Sequence, residues 1–219
     1  MATDGSRAVA AEVLGTAFLV AAVVGSGIMG ERLAGGNAAV ALLANTMATG
    51  AALVALILTF SPLSGAHFNP VVTLAETVQA RLSSARAGAY VAAQFAGAIV
   101  GTASAHVMFG LPVVSLSTRV RSGPAQLFSE FVATFGLLAV IQSVSRTRAT
   151  ATPFAVAAYI TAAYWFTAST SFANPAVTVA RSLTDTFSGI RPSDSIGFMA
   201  AQVAGALVAT FLFRWFFKS

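Results

Sequence analysis

Residues 171–181 read SFANPAVTVAR and place a chain-breaking pair, Asn174-Pro175, inside a span that carries no charged residue from Ala149 to Ala180. Proline has no N–H to donate and a fixed φ, so it belongs in the first turn of a helix, and an Asn before it is a good cap. The pair therefore marks a helix start. A second copy stands at residues 64–72, SGAHFNPVV, with Asn69 and Pro70 in the same places. The apolar pieces that follow, near 69–80 and 174–184, extend only about 18 Å each, roughly half of a ~30 Å hydrocarbon core. An extended stretch precedes each start, and irregular backbone at membrane depth is tolerated only where protein buries it or it lines a wet cavity.

Of 219 residues, 57% are hydrophobic and 9% are charged, and the mean hydropathy is +0.81. A soluble domain carries roughly 25% charged residues, so this composition describes a membrane protein. Charge-free runs extend over Val13–Gly30, Leu33–Ala75, Ala87–Thr118, Phe131–Ser145, Ala149–Ala180 and Ile196–Phe213. Two of them, 43 and 32 residues long, hold more than one span. The leading residues contain Asp4, Arg7 and Glu12 without a cleavage-site pattern, and the first apolar run reads as a retained helix. With no cysteine and only His67 and His106 as imidazoles, neither a metal centre nor a cofactor is expected. The net charge of +5 comes from twelve Lys and Arg scattered in ones and twos, a pattern of topology signals and not of nucleic-acid binding.

Apolar length and loop residues predict six spans at 8–29, 38–60, 87–109, 125–145, 152–168 and 195–216, plus the two half-spans. With a cytoplasmic N-terminus, that side receives Arg7, Arg81, Arg86, Arg146, Arg148, Arg214 and Lys218. The other receives Arg32, Arg119, Arg121, Arg181 and Arg191, a bias of seven to five that places both termini in the cytoplasm.

The chain also repeats itself. AEVLGTAFLV from Ala11 matches SEFVATFGLL from Ser129, HFNPVVTLA from His67 matches FANPAVTVA from Phe172, and AQFAGAIVG from Ala93 matches AQVAGALVA from Ala201. The offsets are 118, 105 and 108 residues, in one order. One domain, 1–219, is thus built of two repeats, about 8–109 and 125–217. Three full spans per repeat is an odd number, so the second half enters the bilayer from the opposite face and a functional site is expected at the midplane. There the two Asn-Pro starts would meet, each with about half a positive charge, repelling cations and offering the amides of Asn69 and Asn174 to a passing solute.

These residues carry a resemblance. AEVLGTAFL, SGAHFNPVVTLA, SEFVATFGLL and SFANPAVTVA, over residues 8 to 217, resemble the major intrinsic proteins, the aquaporins and aquaglyceroporins. The resemblance implies an all-α channel of six transmembrane helices and two re-entrant half-helices, assembled as a homotetramer with one pore per subunit. It implies pore motifs at Asn69-Pro70-Val71 and Asn174-Pro175-Ala176, where Val71 departs from the usual Ala and is expected to adjust pore width. It also implies a ladder of backbone carbonyls at Gly65, Ala66 and His67 and at Ser171, Phe172 and Ala173. Glu12 and Glu130 would accept hydrogen bonds from the loops.

The family's spacing puts its selectivity filter at Thr49, Ala162, Ser171 and Val177. The last position is an Arg in the usual pattern, and its replacement implies a wide, neutral filter. Arg181, two turns along the half-helix, is not expected to substitute. The Val resembles the branch associated with bacterial arsenic-resistance operons, in the inner membrane. The implied permeants are small uncharged solutes, metalloids such as arsenous acid or glycerol-like polyols, with water. A water-selective channel is the rival within the fold. An ion-coupled secondary transporter is the rival outside it, and an enzyme is not supported, for no nucleophile, base and orienting acid cluster.

Other residues have blander readings. His67 is read as pore lining with loop packing as the alternative, and His106 as an interfacial side chain. Tyr164 and Trp165 fit either a vestibule or a lipid face, and Trp215 an interfacial anchor. The small residues Gly97 and Gly101, with Gly205 and Ala209, are expected to pack the two halves together.

Overall fold

The computed structural model describes residues 5–217. Asp4 and Lys218, which entered the reading of the leading segment and the charge count, lie outside the described residues. Eight α-helices follow in order: α1 (Gly5–Leu33), α2 (Ala38–Ser64), α3 (Pro70–Val78), α4 (Ser84–Met108), α5 (Pro124–Thr147), α6 (Thr152–Phe166), α7 (Pro175–Arg181) and α8 (Pro192–Phe216). Proline stands in the first turn of α3, α5, α6, α7 and α8, where a missing N–H costs nothing. Asn37 opens α2 by accepting from the N–H groups of Ala39 and Val40 at 3.0 and 3.2 Å.

Five of these helices, α1, α2, α4, α5 and α8, are long and apolar enough to cross a membrane. The predicted span at 152–168 is shorter than expected. α6 has 15 residues, about 22 Å of helix, after a 3-10 turn at Ala149–Ala151. It stops at Phe166 because Thr167 is already extended, and from there the chain enters the loop that leads to Asn174.

Polarity inside this bundle is inverted relative to a soluble protein. Glu12, Gln94, Glu130, Gln142 and Gln202 are fully buried, while Phe18, Leu33, Met108, Phe128 and Ile196 are exposed. Lipid is the solvent that suits such an outer surface.

α1 packs against α4 and α5 against α8. A Cβ added at Gly97 would meet the carbonyl oxygen of Val13, one at Gly101 that of Ala17, and one at Gly205 that of Phe131. These glycines therefore let backbones touch. Both helix pairs lie within one half of the chain, which corrects the expectation that the small residues join the halves. The halves meet instead where α2 packs on α6, α3 on α8 and α4 on α7.

Candidate functional site

The two loops before α3 and α7 share one conformation. Positive φ occurs at Gly65, Ala66 and Phe68, and again 105 residues later at Thr170, Ser171 and Ala173. Five of these six residues carry a Cβ and sit in a backbone region that disfavours it, so other groups must hold them there. Two buried carboxylates do so. Glu12 accepts from the N–H of His67 at 3.0 Å, the N–H of Phe68 at 2.7 Å and Gln94 Nε2 at 2.8 Å. Glu130 accepts from the N–H of Phe172 at 2.8 Å, the N–H of Ala173 at 2.9 Å and Gln202 Nε2 at 2.6 Å. Gln94 also donates to Thr73 and Gln202 to Thr178, both at 2.9 Å, which ties each carboxylate to the half-helix it serves.

At the centre the halves exchange hydrogen bonds. Asn69 Nδ2 donates to the carbonyl of Ala173, and Asn174 Nδ2 to that of Phe68, both at 2.8 Å. The Oδ1 atoms cap the half-helices, accepting from Val71 N–H at 3.1 Å and from Ala176 N–H at 3.0 Å. An amide NH₂ has two hydrogens, so each Asn keeps one for another acceptor.

A cavity of about 690 Å³ runs between these amides, from Arg146 and Thr150 near the α5–α6 connection to Arg181 at the far end of α7. Gly65, Ala66, His67, Asn69, Ser171, Phe172, Ala173 and Asn174 form its central wall. Among the described residues, the carbonyls of Gly65, Ala66 and His67 and those of Thr170, Ser171 and Phe172 accept no hydrogen bond. Ala173 differs from the expectation in one respect. It is the counterpart of Phe68, not of His67, and its carbonyl already accepts from Asn69.

Thr49, Ser171 and Val177 line the passage together, but Ala162 does not. Ala162 is exposed on α6, whereas Tyr164 is buried in the wall with its hydroxyl 3.3 Å from Thr49 Oγ1. Ala162 and Tyr164 are two residues apart, which turns a helix by about 200°, so the count of about twelve residues back from Asn174 had landed on the opposite face. Trp165, next to Tyr164, faces outward. Val71 also departs from expectation: it is buried in the hydrophobic core with Pro70, off the passage, so it does not narrow it. Ala176 and Pro175 are likewise buried behind the wall.

Three further residues take positions that sequence reasoning missed. His106 is fully buried, not interfacial, with Nδ1 2.5 Å from the Pro112 carbonyl and Nε2 2.7 Å from Thr184 Oγ1. It fastens the loop after α4 to the loop after α7. That first loop runs on beside the second, with the N–H groups of Ser115 and Ser117 donating to the carbonyls of Leu183 and Ser182 at 3.0 Å. It delivers Arg121, which donates to the carbonyls of Gly189 at 2.8 Å and Ser169 at 3.2 Å and lies 5.2 Å from the Phe172 ring centroid. Burial, reinforced by Arg119, lowers the Arg121 pKa to about 10, so it remains a cation near neutrality. Arg181 is 1% exposed, lines the passage and stacks on the same Phe172 ring at 3.4 Å. No local sequence signal marks these two, because only the folded path of the loop brings Arg121 to Phe172.

The family model described as "Major intrinsic protein" matches residues 2–163. The chain belongs to the major intrinsic protein family. It is 58% identical over 212 residues to the aquaglyceroporin AqpS of Rhizobium meliloti (strain 1021), covering 97% of this chain and 91% of that one. It is 30% identical over 218 residues to aquaporin-2 of Bos taurus, covering 96% and 78%. Among solved structures, the aquaglyceroporin from Plasmodium falciparum matches with a TM-score of 0.69 over 97% of this chain and 96% of that one. At 20% identity this last likeness is one of fold. As a major intrinsic protein the chain is a multi-pass membrane channel, all-helical in its described residues, and not an enzyme.

Proposed function

We propose that this protein passively conducts small uncharged solutes, glycerol-like polyols and hydroxylated metalloids such as arsenous acid, together with water. The observation that carries the reading is the cavity wall one turn past Asn174: Val177 stands there, beside Thr49, Ser171 and Tyr164. A Val in place of a long cationic side chain leaves room for a molecule larger than water, and pore width, donors and charge set selectivity in such channels. The name of the Rhizobium relative, an aquaglyceroporin, agrees with a solute channel.

A coupled transporter is less well supported. Coupling to protons needs a titratable group at the midplane; Glu12 and Glu130 lie off the passage with their oxygens already engaged, and His67, in the wall, has its Nδ1 tied to Thr73 Oγ1 at 3.0 Å. Glu76, the carboxylate that does line it, pairs with Arg81 at 3.3 Å toward one mouth. The carboxylates therefore act as supports for the loops, the unpaired carbonyls as the ladder, and Asn69 and Asn174 as central donors. The two repeats are inverted about the midplane, the assembly is a homotetramer, and the location is a bacterial inner membrane with both termini cytoplasmic.

The test is Val177→Arg in proteoliposomes. Glycerol and arsenous acid uptake should fall about tenfold, the effect of a ~1.4 kcal/mol barrier, while water permeability changes far less. An unchanged solute-to-water ratio would remove Val177 from the selective region.

A further inference from the structure

In the sequence Arg81 and Arg86 read only as topology signals, yet the fold brings both to one cavity. It has a volume of about 290 Å³ and lies beside the passage, between the last turn of α2, the end of α3 and the start of α4. Ser61, Pro62, Gly65, His67, Glu76 and Arg81 belong to both walls, so this space is a side chamber of the mouth nearest α3. Leu82, Arg86 and Tyr90 line the chamber but not the passage.

The chamber's lining carries a surplus of positive charge. The Arg86 side chain has no hydrogen-bond or ion-pair partner among the described residues. Arg81 gives one N–H, from Nη1, to Glu76 at 3.3 Å and keeps its other donors. Glu76 is the one carboxylate among the lining residues described, so two guanidiniums share a single acid. α4 starts at Ser84, between Leu82 and Arg86, which puts the positive end of its dipole at the same rim. The opposite wall is held firmly. Tyr90 donates to the Ser64 carbonyl at 2.9 Å, its ring meets the His67 ring edge-on at 5.3 Å, and His67 is tied in turn to Thr73.

We infer that this side chamber binds a phosphate-type oxyanion through Arg81 and Arg86, and that its occupancy throttles the neighbouring mouth. The throttling rests on the channel reading above; the binding does not. A guanidinium presents a planar fork of donors that matches phosphate oxygens. The oxyanion competes with Glu76 for Arg81, and the pair it must open is a single contact between partly exposed side chains, the weak kind. Arg81 and the freed Glu76 are both passage wall as well. Occupancy therefore adds bulk and negative charge beside Gly65 and His67 and leaves less room for a neutral solute. Free phosphate and the headgroup of an anionic phospholipid share this chemistry, and the experiment separates them.

The experiment first titrates inorganic phosphate into the detergent-solubilised protein, reading binding by calorimetry for wild type, Arg86→Gln, Arg86→Lys and Arg148→Gln. Arg148 precedes the 3-10 turn near the same mouth but lines neither cavity. Loss of a hydrogen bond from a charged group shifts binding by about tenfold or more, so Arg86→Gln should weaken it by that factor. Arg86→Lys should weaken it less, because the charge stays and the fork is lost. Arg148→Gln should leave it unchanged. In phosphatidylcholine proteoliposomes, phosphate at equal concentration on both faces and fixed ionic strength should lower glycerol flux in wild type and not in Arg86→Gln. A second set of vesicles contains phosphatidylglycerol and no phosphate. Lower flux there, restored by Arg86→Gln, would support the site with a lipid headgroup as its ligand. The inference is overturned if neither phosphate nor phosphatidylglycerol acts through Arg86, or if Arg148→Gln weakens binding as much as Arg86→Gln, for the effect is then diffuse surface charge. Binding through Arg86 with unchanged flux would overturn the throttling. Wild type that binds phosphate but conducts no glycerol would instead overturn the channel reading and leave the binding site standing.

Discussion

Ala162 and Tyr164 show how much one residue's register matters. Tyr164→Ala removes the side chain that stands opposite Thr49, and glycerol flux should rise several-fold, about the effect of ~1 kcal/mol. Ala162→Leu adds bulk on the exposed face and should leave flux within about twofold. Stopped-flow swelling of proteoliposomes distinguishes them, and the opposite ranking would restore Ala162 to the wall. The sequence misplaced this residue because the count back from Asn174 crosses Thr170, Ser171 and Ala173, whose left-handed conformations break any helical pitch. Val177 was counted along continuous helix and lies in the wall; Thr49 lies there too, although the count back to it from Asn69 crosses the left-handed Gly65, Ala66 and Phe68. His106 was misread for a related reason: an imidazole near a span end looks interfacial until two loops close over it.

Among the elements, the half-helices were the most legible, since the cap and the proline that start them are local chemistry. α3 and α7 begin at the residues after Asn69 and Asn174. Helix pairing was less legible, because a stripe of small residues announces close approach without naming the partner. Gly97 tests the pairing now observed. Gly97→Leu drives a side chain into the backbone of α1 at Val13 and should destabilise the protein by about 1–3 kcal/mol or more. Gly88, on the same helix, has nothing within 4 Å of an added Cβ. Gly88→Ala should therefore be neutral or stabilising by about 0.4–1 kcal/mol. Unfolding midpoints in detergent decide the matter, and equal losses at both glycines would mean that α1 and α4 do not touch there.

For the whole molecule, each part of one half has its counterpart in the other: Glu12 with Glu130, Gln94 with Gln202, Thr73 with Thr178, Asn69 with Asn174. Buried polar groups spend themselves on holding two strained loops, and the loops in turn expose carbonyls and amides to one passage. A protein built this way provides a fixed path. That path implies passive conduction of a neutral solute. Glycerol-driven swelling of proteoliposomes, measured with and without imposed proton and sodium gradients, tests that claim directly. The account predicts glycerol entry well above that of protein-free vesicles and the same rate under every gradient. Glycerol entry that requires a gradient, or that matches empty vesicles while water permeability is high, would contradict it.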